Sequence, residues 1–444
     1  MKYPLLAALC GVLALTACDG GRNAEPASAR DTAAAEGEAP VSELQVLTLV
    51  SNTDGFGEPS LGVTPEGVIF TNLGSLVYRS KDGGHTWENV GDPAPLYPNN
   101  DPDLAVDLDG NIWESRLYAL ICNEVSVSQD LGESWSTFPA VCNLPVGDRQ
   151  YVVPTKDCEA FLYWHQVPSF HQTVMHTSDC GATWLPTNFA ESLDHHLLIN
   201  EGSTWGGGGF YNPVTDSVFL TYTRAVGSIP EGVVGLINDR PHPGYSVSYD
   251  DFNWTEGVGP EMHGIQLGLG LVTGAADKAG NVYLTWGEYV NGLGVEVYVA
   301  KSSDDGRSWG EKIRVDKGIG SRVFPMIAAG DDGRVAVAYY KSEEPGFPDD
   351  ASQWTVELSI LDLRDPAAEK PVVHRLSLTD GRVIKQTPIC ISGTTCAGGR
   401  EFLDYFALKA MPDGTVIATY NELTEDDQLR NWFARTKEAF LKAD

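Results

Sequence analysis

Apolar and polar residues alternate along this chain in short runs, and the runs come in pairs. Glu124-Val125-Ser126-Val127 is followed by Ser136-Thr137-Phe138, a period of two that predicts half-buried strands. A larger unit recurs: an apolar strand, a turn with Asp or Gly, and a second apolar strand. It reads LGVTPEGVIF from Leu61, LAVDLDGNIW from Leu104, YVVPTKDCEAFLYW from Tyr151 and FYNPVTDSVFLTY from Phe210. It returns as TGAADKAGNVYLTW from Thr273, MIAAGDDGRVAVAYY from Met326 and FALKAMPDGTVIATY from Phe406. The seventh unit ends near Lys437 with little chain left for an outer strand. The run ELQVLTLV, Glu43 to Val50, is expected to supply it, so that one sheet uses both ends of the domain and no edge stays open. Thr436 to Asp444 reads as a short helical tail.

Between the units lies a repeated turn. It reads SKDGGHTW at Ser80 to Trp87, SQDLGESW at Ser128 to Trp135, TSDCGATW at Thr177 to Trp184 and SSDDGRSW at Ser302 to Trp309. A damaged copy, SYDDFNW, spans Ser248 to Trp254, with Phe252 in place of the Gly and one residue lost. The Gly allows positive φ at the reversal. The Asp and Ser/Thr offer hydrogen bonds inside the turn, and the Trp packs beneath it. From Asp82 the Asp-to-Asp intervals are 48, 49, 71 and 54 residues, a period expected of blades or solenoid units.

The motif resembles the Asp-box of the sialidase-like (BNR-repeat) β-propellers, and the resemblance covers about Glu43 to Lys437. It implies an all-β propeller in which these turns are structural and lie away from the active face. Seven units predict seven blades; six, the sialidase number, is the alternative. The domain expected is 44–437, one large propeller, although 444 residues would by length alone suggest three domains.

The ends add an address. Met1-Lys2, an apolar run from Leu5 to Leu15 and small residues after it form a secretory signal over 1–17, too short to span a membrane. Leu15-Thr16-Ala17-Cys18 resembles a bacterial lipobox, which makes Cys18 the expected lipidated residue and the protein an exported, membrane-anchored lipoprotein on the periplasmic or cell-surface side. A plain signal peptide cut nearby is the alternative. Residues 18–43, rich in Ala, Glu and Gly, read as a flexible tether, and 438–444 as the tail.

Six cysteines remain beyond Cys10 and Cys18, an even set in an exported chain, which implies three disulfides. Cys122 and Cys142 are equidistant from Gly132 and should face each other across the second hairpin. Cys158 and Cys180 fall in two turns of the third blade on one face. Cys390 and Cys396 would close a small loop. The net charge of −31 without a basic run argues against nucleic acid as a partner and favours a soluble exported domain, expected to be a monomer.

Candidate chemistry belongs on the face opposite the repeated turns, where chain enters each inner strand and leaves the next. Entries hold Asp101-Pro102-Asp103, Asp148-Arg149, His195-His196, His263, Arg322, Arg400 and Asp404-Tyr405; exits hold Glu114, His165, Arg224, Glu288 and Glu422. The longest insertions on this face, Arg224 to Gly244 and Asp362 to Glu401, are where binding function concentrates. Sialidases clamp a carboxylate with three arginines, and Arg149, Arg322 and Arg400 are the counterparts the resemblance suggests. It likewise assigns Tyr405 as nucleophile, Glu288 as its partner and Asp101 as acid/base. This chain departs from that family in having Gly57-Glu58-Pro59-Ser60 where an Arg-Ile-Pro segment would precede the first turn. Paired carboxylates suit other glycoside chemistry, with Asp101 or Asp103 set against Glu288 or Asp404.

No cofactor is expected. Asp107-Leu108-Asp109-Gly110-Asn111 resembles half of a calcium loop but lacks the later Glu, so a simple turn is the preferred reading. The function expected is glycan binding or processing, with glycoside hydrolysis the reaction if it is an enzyme. The alternative is a non-catalytic scaffold that binds an envelope protein.

Overall fold

The computed structural model describes residues 42–51, 57–94, 101–118, 121–142, 147–166, 171–188, 190, 202–225, 243–260, 272–290, 292–365, 371–391, 396, 398–403 and 405–443. The signal segment, Cys18 and the tether up to residue 41 lie outside them, as do Asp404, His195, His196 and His263.

Seven antiparallel four-stranded sheets form the fold. Blade 1 runs Leu61–Val63, Ile69–Leu73, Leu76–Ser80 and Glu88–Gly91, from the axis outward. Blade 2 runs Asp103–Val106, Ile112–Tyr118, Cys122–Ser128 and Ser136–Cys142, and blade 3 Gly147–Pro154, Ala160–Gln166, His171–Thr177 and Leu185–Pro186. Blade 4 holds Gly202–Asn212, Ser217–Ala225, Pro243–Ser248 and Trp254–Val258. Blade 5 holds Thr273–Ala276, Val282–Val290, Gly294–Ser302 and Ile313–Arg314. Blade 6 holds Arg322–Ala329, Arg334–Lys341, Thr355–Asp362 and Val372–Ser377. Blade 7 has Ala407–Ala410, Val416–Leu423 and Leu429–Thr436, and its outermost strand is Leu44–Ser51, paired antiparallel to Leu429–Thr436. Neighbouring inner strands touch all the way round, blade 7 against blade 1 included.

Each blade face is apolar because it is buried against the next blade. Trp113, Val125 and Val127 of blade 2 meet Val152, Leu162 and Trp164 of blade 3. Phe219, Tyr245 and Val247 of blade 4 meet Val282, Leu284 and Trp286 of blade 5.

The four repeated turns share one hydrogen-bond scheme. Asp130 accepts from Ser134 N–H at 2.8 Å, Ser134 Oγ at 2.6 Å and Ser128 Oγ at 2.9 Å, and Gly132 N–H donates to Ser128 Oγ at 2.8 Å. Asp82, Asp179 and Asp304 repeat it. These bonds favour the ionised carboxylate; that of Asp82 is pushed down to about 2, with the Thr86 side chain the largest cause. The Gly has positive φ, and a Cβ at Gly84 would strike the Phe433 ring of the preceding blade. In the damaged copy Asn253 replaces the hydroxyl residue: its N–H and side-chain amide both donate to Asp250.

Disulfides join Cys122 to Cys142, Cys158 to Cys180, and Cys390 to Cys396. Three such bonds fit an oxidising compartment outside the cytosol. Among the described residues no helix is long and apolar enough to cross a membrane.

The tail corrects the sequence reading. Residues 437–443 form turns and bends, not a helix. Leu441 is fully buried, its N–H donates to Gly414 O at 2.9 Å, and its carbonyl accepts from Asp331 N–H at 2.8 Å. Docking onto the turns of blades 6 and 7 satisfies backbone groups that a helix would have satisfied internally.

Candidate functional site

The inner strands enclose an axial channel. Its entry end is a cavity whose walls include Ser60, Asp103, Tyr151, Thr273, Met326 and Tyr405. A second cavity continues toward the turn face, past Leu108, Pro154, Tyr211 and Ala329.

Aligning the blades by strand register reveals a repeated feature at the entry. Leu61, Leu104, Val152, Ile327 and Leu408 occupy equivalent places, each paired two residues before the end of its inner hairpin. Three residues earlier the backbone turns left-handed in four blades: Glu58 (φ 58°), Asp101 (φ 50°), Arg149 (φ 52°) and Phe324 (φ 55°). In blades 3 and 6 this residue falls within a β-bulge. Side chains at such places are re-aimed away from the regular pleat, at a cost in backbone strain of order 1–3 kcal/mol each. Tyr405 holds the same place in blade 7. Four consecutive blades, 7, 1, 2 and 3, therefore present Tyr405, Glu58, Asp101 and Arg149 at one level.

Tyr405 is buried, and its Oη donates to Pro102 O at 3.3 Å. Its ring lies 6.0 Å from that of Tyr151, which in turn stacks on Tyr163 at 5.4 Å. Burial holds the Tyr405 phenol well above its ordinary proton affinity; the charge of Glu58 is the next cause, followed by Tyr151, Asp103 and Asp101. The phenol is thus a hydrogen-bond donor surrounded by carboxylates. Asp103 accepts from Ser60 Oγ at 3.1 Å and Val152 N–H at 3.0 Å, and burial raises its pKa against those bonds. Gln150 Nε2 donates to Asp101 O, tying the blade 3 entry to that of blade 2. Arg149 is buried, and its N–H donates to Asp148 Oδ1 at 3.0 Å.

The other proposed site residues sit elsewhere. Glu288 is fully buried, accepting from Trp286 Nε1 at 2.9 Å and Lys312 Nζ at 2.6 Å. Arg322 is fully buried, 3.3 Å from Asp316, and donates to Lys317 O at 2.6 Å. Arg400 is half-buried in the loop before blade 7, where its carbonyl accepts from Leu403 N–H at 2.9 Å. None of these three lines the channel cavities. Glu114 pairs with Arg116 at 2.8 Å between blades 1 and 2.

The residue that sequence reasoning missed is Glu58. Its charge acts on the Tyr405 phenol more strongly than that of any other residue. Its signal was already visible, since Glu58 stands in the segment where the arginine of the resembled family belongs.

The half calcium loop is a turn. Asp107 accepts from the N–H groups of Asp109 and Asn111, the Asn111 amide and Trp113 Nε1, which occupies both its oxygens. Among the described residues no group of three or more His, Cys, Asp or Glu side chains is arranged to hold a metal ion.

No protein-family description matches this chain, and no curated protein does. Solved structures share its fold. A protein of unknown function from Dyadobacter fermentans is 11% identical with a TM-score of 0.50, covering 88% of this chain and 98% of its own. A polysaccharide lyase, an ulvan lyase, is 11% identical with a TM-score of 0.50, covering 85% and 94%. The intramolecular trans-sialidase from Ruminococcus gnavus is 11% identical with a TM-score of 0.42, covering 88% and 96%. At these identities the likeness is one of fold alone, an all-β propeller, here with seven blades.

Proposed function

We propose that this is an exported propeller that binds and processes a glycan at the entry mouth of its channel, as a glycoside hydrolase. The observation that carries the reading is the convergence of Tyr405, Glu58, Asp101, Asp103 and Arg149 from four neighbouring blades. Glycosidic bond cleavage needs one carboxyl as acid and a second group as base or nucleophile. Asp101 and Asp103 supply the carboxyls, and Glu58, whose charge acts most strongly on Tyr405, is proposed as the partner of its phenol. Among the described residues Arg149 is the single guanidinium at this level, and Glu58 stands where the resembled family has an arginine. The site is therefore suited to a neutral sugar in preference to a sialic acid, whose carboxylate calls for several cations. Lipidation at Cys18 tethers the domain to a membrane through the 18–43 segment.

A glycan array and a panel of chromogenic glycosides, run on the purified chain, test this. Hydrolysis or saturable binding of a neutral glycan supports it. Silence on both favours the second reading, a non-catalytic scaffold that binds an envelope protein. Radiolabelled palmitate incorporated by the wild type and lost in Cys18→Ala tests the anchor.

A further inference from the structure

One charged side chain stands inside the channel where its six counterparts carry none. Lys409 of blade 7 is equivalent in register to Gly62, Ala105, Val153, Phe210, Ala275 and Ala328. It lines both axial cavities and is open to solvent within them. Among the described residues Lys409 Nζ makes no hydrogen bond or ion pair, whereas Lys156, Lys312, Lys341 and Lys385 are each held by a carboxylate. The side chains at the equivalent positions are apolar, so the ammonium has no charged partner at its own level and its proton affinity is lowered.

We propose that Lys409 is a carbonyl-reactive amine and that the channel takes a small aldehyde or ketone, which it holds as an imine. The neutral Nζ lone pair adds to the carbonyl carbon, and the C=O electron pair moves to oxygen, which gains a proton. The carbinolamine then expels water as the C=N bond forms, leaving a protonated imine with no change of oxidation state. Asp103 lines the same cavity one blade beyond blade 1 and is the group proposed to exchange the proton; burial raises its pKa. Protein on every side of Lys409 lowers its pKa, with Asp103 the opposing influence. Burial-depressed lysines are the ones that form Schiff bases. The inference does not depend on glycan processing.

The test is reductive trapping. The full chain is treated at pH 7.5 with pyridoxal and cyanoborohydride, and labelled lysines are mapped by peptide mass spectrometry. Exposed Lys81 and Lys442 serve as internal references. An ordinary lysine is only ~0.1% neutral at that pH. Lys409 is expected to label at least tenfold faster than either, with a rate that levels off at lower pH than theirs. Asp103→Asn is expected to slow labelling at Lys409 alone. Labelling of Lys409 no faster than Lys81, or with the same pH profile, overturns the proposal; this readout needs only the wild-type chain. Slow labelling combined with protection by inorganic sulfate would also overturn it, in favour of a plain anion site.

Discussion

The rings of Tyr405 and Tyr151 approach to 6.0 Å across the entry of the channel, although they belong to blades 7 and 3. Blades 1 and 2 lie between them, and both contribute acids to the gap. The mouth is thus bounded by aromatic faces with carboxylates set between, a combination that can stack a sugar ring and act on its linkage.

The proposed roles separate Arg149 from Arg322. Arg322→Met leaves Asp316 buried with Arg314 as its remaining partner and should cost about 3 kcal/mol of stability while ligand affinity stays unchanged. Arg149→Met should reduce glycan affinity at least tenfold. Denaturant unfolding and titration of both variants distinguish the two outcomes.

Stability should fall as pH rises through neutrality. Burial pushes both Glu114 and Glu124 up to about 7, with Arg116 opposing the shift. Arg116 also pairs with Asp92 at 2.6 Å, so one guanidinium serves three carboxylates at the interface of blades 1 and 2. A carboxyl whose folded pKa is raised stabilises the fold below its unfolded value, near 4.3, and loses that contribution as pH climbs through the folded value. The window is about pH 4.5 to 8. The aspartates of the repeated turns, shifted down, are ionised throughout it in both states and add no slope. Denaturant midpoints should decline from pH 5 to pH 8, and Glu124→Gln should flatten the decline and raise stability at pH 8. An unchanged slope in that variant would show that Glu124 is not the titrating group.

Each repeated turn is expected to contribute independently of binding. Asp130→Ala removes the acceptor of three hydrogen bonds and should cost about 1–3 kcal/mol, seen as a melting temperature lower by a few degrees. Glycan affinity should not change, because the turn lies at the other end of the blade.

Closure through Leu44–Ser51 should be essential. A chain starting at Ser42 is expected to melt like the full protein. One starting at Gly57 exposes the edge of blade 7 and should melt at least roughly 10 °C lower or lose its cooperative transition. Equal melting of the two would show that the strand adds nothing to the ring.

Much of this architecture is legible in the sequence. Turn chemistry is local, so the Ser/Thr-x-Asp-x-Gly motif set the blade register, and the register brought Cys122 opposite Cys142. The site was less legible because it depends on which entry residues take positive φ and what lies beneath each charge. Nothing near Arg322 in the sequence signals that Asp316 would bury with it, and Glu288 is claimed by Lys312, which precedes the outermost strand of blade 5. Glu58 stands in the sequence only as a departure from an arginine segment; its level with Asp101 and Arg149 depends on backbone turns that the sequence does not show. The tail looked helical from composition alone, and docking of Leu441 decided otherwise.

The central claim is that ligand binds where Tyr405, Glu58, Asp101 and Arg149 meet. Its most direct test is the dissociation constant of the strongest array glycan for the wild type, Glu58→Gln, Tyr405→Phe and Glu288→Gln, each checked for an intact fold by melting. The account predicts at least a tenfold loss for Glu58→Gln and Tyr405→Phe, and wild-type affinity for Glu288→Gln. Undiminished binding by Glu58→Gln and Tyr405→Phe, or no glycan bound by any form, would contradict it.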